Sequence, residues 1–290
     1  MSRVTSLDWV RLFRPRFNYL IAIFCAIALA KHFSLFDFLL VSAFSYSALF
    51  YGTFVNFFHD FNIDIKNPSM KKYIHISGKI SRRKIRTLMN LFLGLTILFG
   101  ALLVISKKNL IFAPLTLWAI LCGLSYSAPP LRLKRFWWGG MITYTLSTSG
   151  VFLTSAFVFG LTKPILMVLT MLVFWCGSLS GFMLAHISDK DFDKSSGLET
   201  PPIKFGKERC IWFYVIFVFL SCVFGTITSI LFFKPEFIFL FLLSLLFSIF
   251  VSKSIRNEKI LEKVRSKAYR LGVIPYRINM ISLLLMFIIG

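Results

Sequence analysis

Acidic side chains are scarce in this chain, 12 in 290 residues, and five of them fall in two short runs. The first is Asn56-Phe57-Phe58-His59-Asp60-Phe61-Asn62-Ile63-Asp64. The second is Asp189-Lys190-Asp191-Phe192-Asp193. Both follow long apolar stretches. Asn56, Asp60 and Asp64 recur at i, i+4 and i+8, and Asp189 and Asp193 repeat the i, i+4 step, so a helix sets each group on one face. Carboxylates beside lipid are costly and mark function there. Paired oxygen ligands suit Mg²⁺, which keeps several waters and takes one or two carboxylates plus phosphate oxygens of a substrate. The pattern predicts metal-assisted chemistry on a diphosphate at a membrane surface. The ions would neutralise the charge that builds on a departing diphosphate.

Cations for the same task lie nearby in sequence. Lys71 and Lys72 follow the first run. Arg132 and Lys134 stand in Tyr126-Ser127-Ala128-Pro129-Pro130-Leu131-Arg132-Leu133-Lys134. Arginine can grip phosphate bidentately, whereas lysine acts as a point charge. Loss of diphosphate from an apolar chain leaves an allylic carbocation, which needs a dry, aromatic-lined space. Tyr126, at the end of the fourth apolar run, is the aromatic candidate. The 35 phenylalanines mostly serve packing or lipid contact. Asp191 is turned by about 200° from Asp189 at ~100° per residue, so it is expected off the ligand face. His186, three residues before Asp189, and His59, beside Asp60, are expected to hydrogen-bond rather than bind metal.

The elements that must position these groups are membrane helices. Hydrophobic residues make up 57% of the chain and charged residues 16%, against about 25% in soluble domains. The mean hydropathy is +0.76. Apolar runs long enough to span a bilayer recur about nine times, near 17–34, 36–58, 85–105, 109–125, 139–160, 164–186, 211–233, 235–252 and 271–290. The polar, basic stretch before the first run is unlike a cleavable signal peptide. The expected architecture is all-α and polytopic, with residues 1–290 forming one membrane domain.

The formal charge of +21 would point to nucleic acid in a soluble protein. Its distribution points to the membrane instead. With about nine spans and a cytoplasmic N-terminus, only Lys31, Lys107, Lys108, Lys163 and Lys234 of the 33 basic residues fall on the far side. Both acidic runs then face the cytoplasm, and the basic face favours anionic membrane lipids. No nucleic-acid partner is expected. Cys25, Cys122, Cys176, Cys210 and Cys222 show no paired spacing, so neither a disulfide framework nor a zinc site is expected.

These motifs together resemble those of the UbiA superfamily of intramembrane prenyltransferases. The matching elements begin with Asn56-x3-Asp60-x3-Asp64, Asn67-Pro68, Lys71-Lys72 and Gly78-Lys79-Ile80-Ser81. They continue with Tyr126-Ser127-x-Pro129-Pro130-x-Arg132-x-Lys134, then Asp189-x3-Asp193-x3-Gly197-x2-Thr200 and Gly206. The resemblance implies nine transmembrane helices around a central cavity. It also implies Mg²⁺-dependent transfer of a prenyl group, an alkyl group other than methyl, from a polyprenyl diphosphate to a hydrophobic acceptor. It would make Asn56, Asp60, Asp64, Asp189 and Asp193 the holders of Mg-diphosphate. Lys72, Tyr126, Arg132 and Lys134 would contact diphosphate or shape the cavity. Phe57 stands where many members carry an acid, and the haem-prenylating branch resembles this chain in lacking that acid. Lys72-Tyr73-Ile74 replaces a common Arg-Pro-Leu, and Pro201-Pro202 follows Thr200. The Tyr126–Lys134 stretch resembles the version in chlorophyll synthases and carotenoid elongases. The acceptor is expected to be aromatic or a lipid.

Two other classes compete. A transporter or ion-coupled carrier would bind near the bilayer midplane, whereas these acids stand at span ends beside basic loops. A CDP-alcohol phosphotransferase also uses membrane aspartates and metal, but its Asp-Gly signature is absent from the chain.

Overall fold

The computed structural model describes residues 17–64, 80–256 and 273–289. Its regular elements are helices: α1 Phe17–Ala30, α2 Leu35–Asp64, α3 Arg82–Lys107, α4 Phe112–Ser127, α5 Trp137–Val158, α6 Pro164–Ser195, the short α7 Pro201–Phe205, α8 Lys207–Phe232, α9 Ile238–Arg256 and α10 Ile274–Ile289. Among the described residues the strand-like pairing is one isolated parallel bridge, Phe136 to Glu199.

Each predicted apolar run is occupied by one of these helices. Segments of α2, α3, α5, α6 and α8, and the segment Pro235–Arg256 that contains α9, are long and apolar enough to cross a membrane. Helices α1, α4 and α10 have 14, 16 and 16 described residues, fewer than the roughly 20 of a full perpendicular span. The molecule is thus an all-α, multi-pass membrane protein. The two acid-bearing helices outrun their predicted spans: α2 continues to Asp64 and α6 to Ser195. Both acidic runs are therefore helical.

Burial separates walls from periphery. The most apolar window of α6 is 67% buried, whereas that of α3 is 17% buried and presents Leu91, Ile97, Leu98 and Ile105 outward. Helix α6 packs on α5, α8 and α10; α2 packs on α3 and α4; α1 bridges α5 and α10. In lipid, apolar burial does not drive helices together, so small residues and interhelical hydrogen bonds matter more. Gly52 of α2 meets Gly123 of α4, where an added Cβ on Gly123 would lie 3.1 Å from the Gly52 Cα. Asn279 of α10 donates to Ser221 of α8 at 3.0 Å, and Ser178 of α6 bonds Tyr276 of α10 at 3.2 Å. At the end of the bundle far from the acids, Lys107 closes on Asp37 at 2.6 Å. This ties the last turn of α3 to the first turn of α2, where each charge also suits its helix dipole.

Candidate active site

The Gly52–Gly123 crossing sets the first half of the site. One turn beyond it, Asn56 of α2 faces Ser127 of α4, whose hydroxyl donates to Asn56 Oδ1 at 2.6 Å. One further turn along α2 stands Asp60, only 2% exposed. Its Oδ1 accepts from Arg132 Nη2 at 3.0 Å, and its Oδ2 meets Lys134 Nζ. Lys134 also reaches Asn56 Oδ1 at 3.3 Å and sits 6.0 Å from the Tyr126 ring centroid.

These cations arrive from the α4–α5 connection because the chain turns sharply there. Helix α4 ends at Ser127, before Ala128-Pro129-Pro130, where proline cannot continue it. Arg132 adopts φ 38°, a left-handed conformation that costs a non-glycine residue about 1–3 kcal/mol. A short 3₁₀ turn, Leu133–Arg135, follows. Gly139 admits it, since an added Cβ there would lie 2.5 Å from the Leu133 carbonyl. Arg132 Nε is buried without a hydrogen-bond partner. Burial pushes the Lys134 ammonium down to about 7, while the Asp193 carboxylate pulls it up. A bound anion would hold that proton more firmly.

The second half of the site is the end of α6. Gly197, at φ 70°, closes the helix: Leu198 N bonds Asp193 O at 3.0 Å and Gly197 N bonds Lys194 O at 3.2 Å. This is the Schellman arrangement, in which a left-handed glycine reverses the chain. It keeps Asp193 within the last turn and folds Leu198 back onto the cavity. The next residue, Glu199, donates its backbone N to Arg135 O at 2.8 Å, so the loops after α4 and α6 are zipped together. Asp193 is 5% exposed and its Oδ2 bonds His186 Nδ1 at 2.8 Å.

Both halves open on one cavity of about 450 Å³. From Asp60 it follows α2 down to Phe44, about 24 Å at 1.5 Å per residue. Away from the charged end its lining includes Tyr19, Leu49, Leu115, Trp118, Tyr144 and Val151.

Of the residues singled out in the sequence, Asn56, Asp60, Tyr126, Arg132, Lys134, Asp189 and Asp193 all line this cavity. Asp191 is exposed and lies outside the lining, as helical phase requires. His59 is also outside it. Asp64 ends the α2 backbone, but its side chain, like all of Lys71 and Lys72, lies outside the described residues. Two partners escaped the sequence reading: Ser127 against Asn56, and His186 against Asp193 in particular. The His186–Asp193 step of seven residues, two helical turns, was available in the sequence. The Ser127–Asn56 contact joins different helices and left no periodic signal.

Asn56, Asp60, Asp189 and Asp193 offer only oxygen donors, the hard set that Mg²⁺ selects. Among the described residues no group of three or more His, Cys, Asp or Glu side chains gathers closely enough to hold a metal alone. The all-oxygen donor set itself fits Mg²⁺, which takes one or two carboxylates and completes its shell with water and phosphate oxygens.

The model of the UbiA prenyltransferase family matches residues 19–272. The chain belongs to this family. It is similar to chlorophyll synthase of Avena sativa, 31% identical over 172 residues that cover 57% of this chain and 44% of the oat protein. The match thus spans less than half the length of that relative. Among solved structures, a digeranylgeranylglyceryl phosphate synthase superposes with TM-score 0.70 at 20% identity, covering 98% of both chains. A UbiA homologue from Archaeoglobus fulgidus bound to GPP and Mg²⁺ gives TM-score 0.68 at 17% identity, covering 95% of this chain and 99% of that one. At these identities the superpositions establish the fold.

Proposed function

We propose that this UbiA-family protein transfers a prenyl group from a polyprenyl diphosphate to a hydrophobic acceptor inside the membrane. Residues 1–290 would act as one catalytic domain. The observation that carries this reading is the cavity itself: oxygen donors and cations crowd one end, and the rest of the wall is largely apolar and aromatic. That polarity matches an amphiphile with an anionic head and an apolar tail. The family membership and the Mg²⁺ and GPP held by the Archaeoglobus homologue support it.

Asn56, Asp60, Asp64, Asp189 and Asp193 would hold Mg²⁺, whose Lewis acidity lowers the barrier to diphosphate departure. Arg132 and Lys134 would neutralise charge on the leaving oxygens, with Arg132 Nε offering a buried donor that has no partner in its absence. Lys72 would add a cation from the preceding loop. The C–O bond of the donor would break, the electron pair would leave with diphosphate, the acceptor would attack the allylic carbocation, and the proton it loses would pass to the released diphosphate. Tyr126, beside this end of the cavity, would face the developing cation. The apolar wall keeps water, the competing nucleophile, away.

The acceptor class is aromatic or lipid. The likeness to chlorophyll synthase favours a ring-bearing acceptor over a glycerol-based one. The excess of basic residues in the loops on that side supports a cytoplasmic orientation for the charged end of the cavity and the N-terminus. Purified protein given labelled geranylgeranyl diphosphate, Mg²⁺ and a panel of acceptors should release diphosphate and yield a prenylated product by mass spectrometry. Absence of diphosphate release across donors of several chain lengths overturns the reading. A cysteine placed at Ser195 should label from the cytoplasmic side and one placed at Lys107 from the other. Labelling of both from one side refutes the orientation.

A further inference from the structure

The two carboxylates at the heart of the site are held in different ways. Asp60 is held by cations from another element. Asp193 is held by a ring nitrogen of its own helix. The ring of His186 is itself locked. It stands edge-on to Phe182 at 4.4 Å between centroids, and Phe182 packs on Tyr144 at 5.4 Å. Phe182 in turn fits over Gly140, where an added Cβ would come within 3.2 Å of its Cζ. A carboxylate only accepts, so the bonded Nδ1 carries the proton. His186 thus holds Asp193 at Oδ2. Both residues line the cavity.

We propose that His186 is a positioning residue: it fixes the rotation of the Asp193 carboxylate so that Oδ1 faces the Mg²⁺-diphosphate. The proposal rests on the functional reading above. Hydrogen bonds to metal-bound carboxylates set their orientation, and their loss typically costs about 10–100-fold in metal affinity. Without the ring, the carboxylate would be free to turn toward Arg132 and Lys134, the cations already engaged by Asp60. The link from sequence to function here is local: a two-turn spacing on one helix, with glycine at position 140 making room for the ring that locks it.

The test measures Mn²⁺ affinity by electron paramagnetic resonance. It uses the full-length protein in detergent with geranylgeranyl S-thiolodiphosphate, which resists turnover. His186→Leu should weaken Mn²⁺ binding by about 10–100-fold. His186→Asn should recover most of that loss, because its amide nitrogen sits where Nδ1 does, one atom beyond Cγ. Asp193→Asn serves as the reference and should bind Mn²⁺ at least as weakly as His186→Leu. The unfolding midpoint of His186→Asn guards against a misfolded comparison. If His186→Leu binds Mn²⁺ like the parent while Asp193→Asn does not, the positioning role is wrong and the functional reading stands. Equal losses in the Leu and Asn variants also overturn it, because the hydrogen bond would not be the cause. If Asp193→Asn itself binds like the parent, the functional reading fails first.

Discussion

The two acid-bearing helix ends share a spacing and differ in everything around it. At the end of α2, Asp60 is enclosed by Arg132 and Lys134, both delivered by the strained turn after α4. At the end of α6, Asp193 meets one imidazole from its own helix and lines the cavity. The first end is an interhelical device: its buried acid neutralises two half-buried cations from the α4–α5 connection. The second is an intrahelical device, completed by a glycine-closed terminus. The same Asp-x3-Asp pattern therefore supports two electrostatic roles. Which role a carboxylate takes depends on which neighbours the bundle brings to it.

Several substitutions would break or sharpen that contrast. The largest effect belongs to Asp60→Asn. It removes a carboxylate proposed to hold Mg²⁺ and leaves two half-buried cations without their partner, so turnover should fall at least about a hundredfold. Breaking a buried ion pair from one side costs about 3–5 kcal/mol, so unfolding in denaturant should shift strongly as well. Asp193→Asn should match the loss of turnover but lose only about 1 kcal/mol of stability, the worth of one hydrogen bond. Equal destabilisation by the two variants would erase the distinction between the helix ends.

Lys134→Met and Arg132→Met come next. Each removes one charge-assisted contact, worth about 1.5–3 kcal/mol, so donor affinity should fall about 10–100-fold. Titration with a non-reactive prenyl diphosphate measures this. A larger loss of Mn²⁺ affinity than of donor affinity would show that these cations serve the acids and not the diphosphate. Smallest is Asp191→Asn. Asp191 is exposed and off the cavity, so stability should stay within about 0.5 kcal/mol and turnover near that of the parent. Loss of activity in Asp191→Asn with Asp193→Asn intact would mean that the ligand face of α6 is out of register.

The far end of the bundle offers an internal control. Lys107→Met breaks the ion pair with Asp37 and should lower stability while leaving donor affinity unchanged. A fall in donor affinity would reveal coupling between the two ends of α2, which the cavity contents do not require.

The sequence by itself determined what repeats along one helix. Apolar runs placed the helices because the bilayer sets a length. The i, i+4 step placed Asp189 with Asp193 and excluded Asp191 because a helix has a fixed pitch. Gly197 was visible as a motif residue, and its left-handed closure of α6 follows from having no Cβ. What the chain could not reveal lies between helices. That Arg132 and Lys134 both converge on Asp60 depends on a backbone outlier at Arg132 and on the touching glycines of α2 and α4. That Ser127 answers Asn56 depends on the same crossing. Local periodicity is written in the order of residues, whereas the meeting of two helix ends is decided by the small side chains that let their backbones approach. Only the tertiary structure could therefore turn two similar acidic runs into one site with two unlike halves.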